Sequence, residues 1–307
     1  MEQFEDIIRI PVGQWVRGLI DVLKEYLGGL FDVIAAVFTG IYDVAAWVFT
    51  TPPFWAIIVV LAAVAWLVKG WKLAVGTVIG LLLIIAVDQW QNAMLTLALT
   101  VVAVLIATVI AIPVGIWAAR SQTVSHVVRP ILDFLQTMPA FVYLLPAIFL
   151  FSVGVVPGIV ATILFAVAPG VRLTELGIRG VDAEVVEAGH AFGATPGRIL
   201  RQIQLPLAMP SIMAGINQII MLSLSMSVIA SMVGAPGLGR PIVQALSSVN
   251  VPLGFEAGLA VVVIAMILDR ITGALGTPRA PRRAASEKTS SAAPAGESVP
   301  AAPAATA

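Results

Sequence analysis

Few residues in this chain could do chemistry. Glu187 and His190 stand three apart, a spacing that turns a carboxylate and an imidazole to one face of a helix, as in half of a carboxylate metal site. No second such pair exists, and His126 is the only other histidine. There is no cysteine, which removes disulfides and thiolate chemistry. No Gly-Lys-Ser or Gly-Lys-Thr occurs, so the chain has no loop of the kind that cradles nucleotide phosphates. Gly234-Ala235-Pro236-Gly237-Leu238-Gly239 is rich in glycine but follows an apolar run, and it is better read as a turn. No set of side chains assembles into an enzyme site, and none into a metal site. What stands out instead is a polar stretch, VVEAGHAFGATPGRILRQIQLPLAMP at 185–210, set among apolar runs.

The elements that carry this stretch are built for lipid. Of 307 residues 59% are hydrophobic and 11% charged, with a mean hydropathy of +1.01; a soluble domain carries about 25% charged residues. The formal net charge is zero, which argues against a nucleic-acid partner. A spanning helix needs about 20 apolar residues. Candidate runs lie near 52–69, 71–88, 92–119, 138–153, 155–171, 211–233 and 256–275, giving about seven spans. With the tail in the cytoplasm, Lys69, Lys72, Arg120, Arg129, Arg172, Arg179, Arg198, Arg201, Arg270 and Arg279 all fall on the inner side. Arg240 alone among the inter-span loops falls outside, and the N-terminus is placed outside.

Residues 1–51 follow a different pattern. Asp21, Asp32 and Asp43 recur every 11 residues and share a helical face, with Leu30, Phe31, Ile34, Val37, Phe38, Ile41, Val44 and Trp47 between them. The pattern predicts a pair of amphipathic helices at the outer interface. An eighth span at 30–49 is the alternative; it would bury Asp32 and Asp43 at about 2.5–3.5 kcal/mol each. The tail at 277–307 is rich in Pro, Ala and Ser and cannot bury enough apolar surface to order itself.

Within the polar stretch, Asp182 and Glu184 favour a helix start. Gly189 and Gly193 keep one face small, so that another protein surface can come close, and Thr195-Pro196-Gly197 marks a stop. A second short helix is expected from 198 to 204, running into Leu205-Pro206. The expectation is a transverse helix fit to dock a partner, against the plainer reading of a solvated loop between spans.

This stretch resembles the loop of permease subunits in binding-protein-dependent ABC importers, whose pattern is Glu-Ala-Ala, three residues, Gly, nine residues, Ile-x-Leu-Pro. Here Glu187-Ala188-Gly189, Gly193 and Ile203-Gln204-Leu205-Pro206 match with both gaps, Gly189 replacing the second alanine. The segments at 135–151, 156–181, 204–239 and 267–272 are similar to glycine betaine/L-proline permeases of compatible-solute importers; the likeness covers 52–275 and is strongest over 90–275.

The resemblance implies an all-α polytopic membrane protein with the type I ABC importer transmembrane fold, and a loop at 182–206 that couples to a cytoplasmic ATPase. Glu187, Ala188, Gly189, Gly193, Ile203, Leu205 and Pro206 are the coupling residues it designates. It further implies a second copy of the chain, an extracytoplasmic solute-binding protein, a bacterial cell membrane, and ATP with magnesium held by the ATPase and no cofactor on this chain. The organisation expected is an interfacial segment at 1–51, two spans over 52–88, the permease domain over 90–275 and the tail.

For the path itself, Asn217, Ser223, Met226, Ser227 and Ser231 offer small polar and soft side chains; serine back-bonding to helical carbonyls and methionine packing are the alternative. Asn217 and Gln218 could equally join helices by hydrogen bonds. The competing functions are an ABC permease for another amino acid such as methionine, and a secondary transporter. The latter needs buried ion-coupling groups and repeated halves, and neither is evident.

Overall fold

Proline and glycine decide where the helices of this chain stop. The computed structural model describes residues 12–275, which form helices and turns with no strand among them. The 277–307 tail and residues 1–11 lie outside the described residues. In chain order the helices are α1 (Val12–Thr50), α2 (Phe54–Lys69), α3 (Trp71–Ala86), α4 (Trp90–Arg120), α5 (Gln122–Thr137), α6 (Ala140–Phe151), α7 (Val155–Arg179), α8 (Ala183–Ala191), α9 (Pro196–Ile199), α10 (Leu205–Ala230), α11 (Gly239–Ser248) and α12 (Val251–Leu275). Pro52-Pro53 ends α1, and Gly70, at φ +95°, separates α2 from α3.

Several expectations are corrected. The paired helices expected in the first 51 residues are one continuous helix over the described part, α1, with 39 residues. By length and composition five helices can cross a membrane: α1, α4, α7, the α9–α10 run and α12. A sixth arises if α5 and α6, bent by 102° at Met138-Pro139, count as one. The extended backbone at Met138 (ψ 135°) is what a following proline demands. α2 and α3 have 16 residues each and rise only about 24 Å, less than the ~30 Å of a hydrocarbon core. The expected span at 155–171 continues to Arg179, and the one at 211–233 begins at Leu205.

The core is a seam of small residues between α7 and α10. Near one end, a Cβ on Gly158 would sit 3.0 Å from Ala230 Cβ. In the middle, one on Gly170 would sit 2.5 Å from Ile219 Cδ1 and 2.9 Å from Ala111 Cβ. At the other end, one on Gly177 would sit 2.7 Å from Ser211 Cβ. The pairing runs antiparallel along the whole helix. α4 closes on the other side of α7, where a Cβ on Gly115 would meet Thr174 Cβ at 2.5 Å. Hydrophobicity gives helices no reason to associate in lipid, so this close approach and its dispersion contacts hold them.

α1 joins the bundle through residues between 31 and 49. Phe31 meets Phe151 edge to face at 5.6 Å beside the 152–154 turn. Tyr42 is buried within electrostatic reach of Arg240, and Phe49 packs against the cluster that holds Leu97 and Leu238. These contacts lie at the end where Gly154 N–H donates to Val233 O (3.0 Å) and Leu238 N–H to Thr96 Oγ1 (2.8 Å). The glycine-rich segment after α10 is therefore a turn docked on α4, as read from sequence.

Replacing Gly170 by valine should push α7 off α10 and cost about 1–3 kcal/mol. Its melting temperature in detergent should fall, whereas Gly76→Val, where a Cβ meets nothing within 4 Å, should leave melting unchanged.

Candidate functional site: the loop at 182–206

The loop leaves α7 from a fixed point. Buried Glu175 accepts on one oxygen, Oε1, from Ser125 Oγ (2.7 Å) and Arg129 Nη2 (3.0 Å), and it forms an ion pair with Arg179 Nε (3.1 Å). Arg179, the last residue of α7, also donates to Ala118 O (2.8 Å) and Gln122 Oε1 (3.2 Å). Arg172 pairs with Asp133. Three helices, α4, α5 and α7, are thus tied together three residues before Asp182. The Asp182 carboxylate then accepts from Glu184 N–H at 2.9 Å and caps α8.

α8 is closed by a Schellman motif. Ala194 N–H donates to Gly189 O (3.1 Å) and Gly193 N–H to His190 O (2.9 Å), with Gly193 at φ +75°. Nothing lies within 4 Å of where a Gly193 Cβ would be, so its glycine is set by backbone conformation. Pro196 opens α9 at its first position, two residues earlier than the expected second helix. Residues Leu200–Gln204 then form a π turn, closed by Leu205 N–H on Leu200 O. Pro206 accounts for it: with no N–H and a ring that crowds the carbonyl four residues back, it forbids the ordinary α turn there.

The seven residues designated in the loop divide into two groups. Glu187, Ala188 and Gly193 are exposed. Gly189 is buried, and a Cβ there would lie 2.8 Å from Ile203 Cδ1 and 3.4 Å from Ile199 Cγ1. Its small size serves packing inside the loop, which corrects the expectation that it faces a partner. Ile203 covers Gly189, and Leu205 packs against the cluster of Ile178, Leu200, Ala208 and Ile212. Pro206 is exposed at the start of α10. Phe192, singled out by no motif, is 92% exposed at the tip beside His190 and Ala191. Its one sequence signal was an aromatic placed directly before a helix-stopping glycine.

The loop stands over two clefts of about 500 Å³ each. Arg120, Glu187, His190, Pro196 and Gln204 line one. The other is lined by Arg120, Arg198 and Arg201, and no ion pair engages any of the three among the described residues. The loop thus presents an exposed carboxylate, an exposed phenyl ring and a basic rim.

The path residues are distributed otherwise than expected. Asn217 donates to Asp269 Oδ1 (3.1 Å) and accepts from Thr272 Oγ1 (2.6 Å), joining α10 to α12. Ser223, Met226, Ser227 and Ser231 are buried. Ser227 and Ser231 bond back to Leu224 O and Ser227 O.

Fold and loop together define an integral-membrane transport subunit, and comparison with known proteins agrees. Residues 111–277 match the family described as binding-protein-dependent transport system inner membrane component, and the chain belongs to that family. It is 51% identical over 216 residues to the glycine betaine transport system permease protein OpuAB of Bacillus subtilis, covering 70% of this chain and 77% of that protein. It is 48% identical over 272 residues to the glycine betaine/carnitine transport permease protein GbuB of Listeria monocytogenes, covering 88% and 96%. Among solved structures, the inward-facing MetNI methionine ABC transporter aligns with a TM-score of 0.56 at 22% identity, covering 61% of this chain and 93% of that one, which supports the fold.

Glu175→Gln removes the charge that holds Arg129 and Arg179 and weakens the bonds from Ser125 and Arg129. It should loosen α5 from α7 at about 1–3 kcal/mol and speed amide exchange across residues 122–137, while exchange in α12 stays unchanged.

Proposed function

We propose that this chain is the permease subunit of an ATP-driven importer of glycine betaine and related compatible solutes, in which two copies form the path. The observation that carries the reading is near-50% identity to glycine betaine permeases over most of the chain, joined to an exposed Glu187-Ala188 and Phe192 on a braced loop. ATP hydrolysis belongs to a separate cytoplasmic ATPase that holds ATP and magnesium, and the 182–206 loop seats in it. A solute-binding protein delivers the solute from outside, and its site supplies the selectivity. The permease alternates between inward- and outward-facing states as the ATPases close and open.

The orientation we propose puts α8 and the C-terminus in the cytoplasm of a bacterial cell. Arg120, Arg129, Arg172, Arg179, Arg198 and Arg201 gather at that end, as the positive-inside rule requires. α1 then lies along the outer interface. Phe31 and Tyr42 are about 17 Å apart along the helix yet both pack at the same end of the bundle, against Phe151 and within reach of Arg240, and exposed Trp15, Leu19, Tyr26 and Leu30 suit the headgroup boundary.

The test is uptake of labelled glycine betaine into liposomes holding this chain with its ATPase and binding protein. Uptake should need ATP inside the ATPase compartment and should fall with proline or carnitine competitors only if they share the site. Phe192→Ala should cut uptake by at least about tenfold, as loss of a partner-buried aromatic does, while the complex still inserts. Gly193→Val should uncouple hydrolysis from transport, and Gly193→Asn, which tolerates positive φ, should retain coupling. Betaine uptake without any ATPase would overturn the importer reading.

A further inference from the structure

We propose that Gln218, with Met221 and Ser225 beside it, lines the solute path at mid-membrane. The inference rests on the permease reading above. Leu207, Pro210, Ala214, Gln218, Met221 and Ser225 form one exposed stripe at three- and four-residue spacing along α10. Gln218 sits at the midpoint of this helix, Leu205–Ala230. In the middle thirds of α4, α7, α10 and α12 it is the one exposed polar side chain among the described residues. Thr100 is buried there, Thr108 half-buried, and Asn217 is turned inward onto Asp269 and Thr272.

The Gln218 amide has no hydrogen-bond partner among the described residues. A primary amide with four unmet hydrogen-bonding positions is costly in hydrocarbon, where nothing replaces water. Lipid is therefore the wrong neighbour for this face, and the face belongs to a wet cavity between two copies of the chain. Along the same stripe, Ser225 Oγ donates to Met221 O at 3.0 Å, which leaves the hydroxyl oxygen free to accept. The chemistry suits a small zwitterion in transit. The amide N–H groups offer donors to a carboxylate, and the Met221 thioether is a soft, polarisable contact for methylated ammonium. These contacts are few and neutral, as a path that must release its cargo requires. The buried Ser223, Met226, Ser227 and Ser231 then have a packing role, one turn away from the surface the solute meets.

The chain has no cysteine, so single-cysteine variants need no prior engineering of this subunit. Gln218→Cys would be assembled with the ATPase and binding protein in liposomes. A membrane-impermeant quaternary-ammonium thiosulfonate would be present on both sides. Val109→Cys, on the 71% exposed apolar face of α4, is the comparison. A thiol reacts as its thiolate, which needs water; it forms a disulfide with the reagent's thioalkyl-ammonium group and expels the sulfinate, so Gln218→Cys should acquire the mass of that group about tenfold or more faster than Val109→Cys. Saturating solute should slow that labelling, and labelled transporters should lose uptake. Labelling no faster than at Val109→Cys would overturn the path assignment even where ATP-driven uptake is normal. Fast labelling with no betaine uptake by the unsubstituted complex would uphold the path and remove the solute reading instead. Ser225→Cys, two turns along the same face, supplies the same comparison where Gln218→Cys does not assemble.

Discussion

The contact of α7 with α10 is the constraint on which the rest depends. Two helices in lipid gain nothing from hiding apolar surface, so they must approach until backbones nearly touch. Gly158, Gly170 and Gly177 permit that approach at both ends and in the middle of α7. With α10 fixed there and α4 fixed at Gly115, α7 has almost no exposed surface in its outer two thirds. α1, α5, α6, α11 and α12 pack on this trio, while α2 and α3 pack on one another and on α12. α12 is tied on by the Asn217–Asp269–Thr272 bonds, and α5 by the carboxylate of Glu175.

The same rigidity explains the loop. The loop is held rigidly at both points where it joins the spans. At its entry Arg179 is bonded to Glu175, Ala118 and Gln122. At its exit Leu200 and Leu205 are packed against Ile178, Ala208 and Ile212, and Ile203 is locked over Gly189. The outer surface of α8, the tip at Phe192 and the segment 195–198 are left exposed. The residues of the shared motif are thus mostly parts of the brace, and Glu187 and Ala188 are the ones left exposed on α8.

The spans were legible in the sequence because apolar runs in lipid have no alternative but helix. Their ends were less so. α7 runs past its apolar stretch to Arg179 because Glu175 and Arg179 satisfy one another, a pairing that depends on Ser125 and Arg129 from another helix. α5 was hidden in what looked like a connection, since its amphipathic pattern is comparable to that of a solvated loop helix. The loop motif, its glycine stop and its Leu-Pro close were plain from spacing. The inward turn of Gly189 was not, because it is decided by Ile203, fourteen positions on. The serines of α10 misled for a related reason: small polar residues are as useful between packed helices as beside water.

The bond from Leu238 N–H to Thr96 Oγ1 joins residues 142 positions apart in sequence. A chain inserted into the membrane from its N-terminus holds α4 for most of its synthesis before that partner exists. Until then the buried hydroxyl of Thr96 has only the carbonyl of Asn92, one turn back. This end of the bundle therefore closes only after α10 has been made and the chain has turned back to Leu238. Truncation between 230 and 238 removes α11 and α12 together with this closure, so quality control would meet a subunit short of its last span and open at one end.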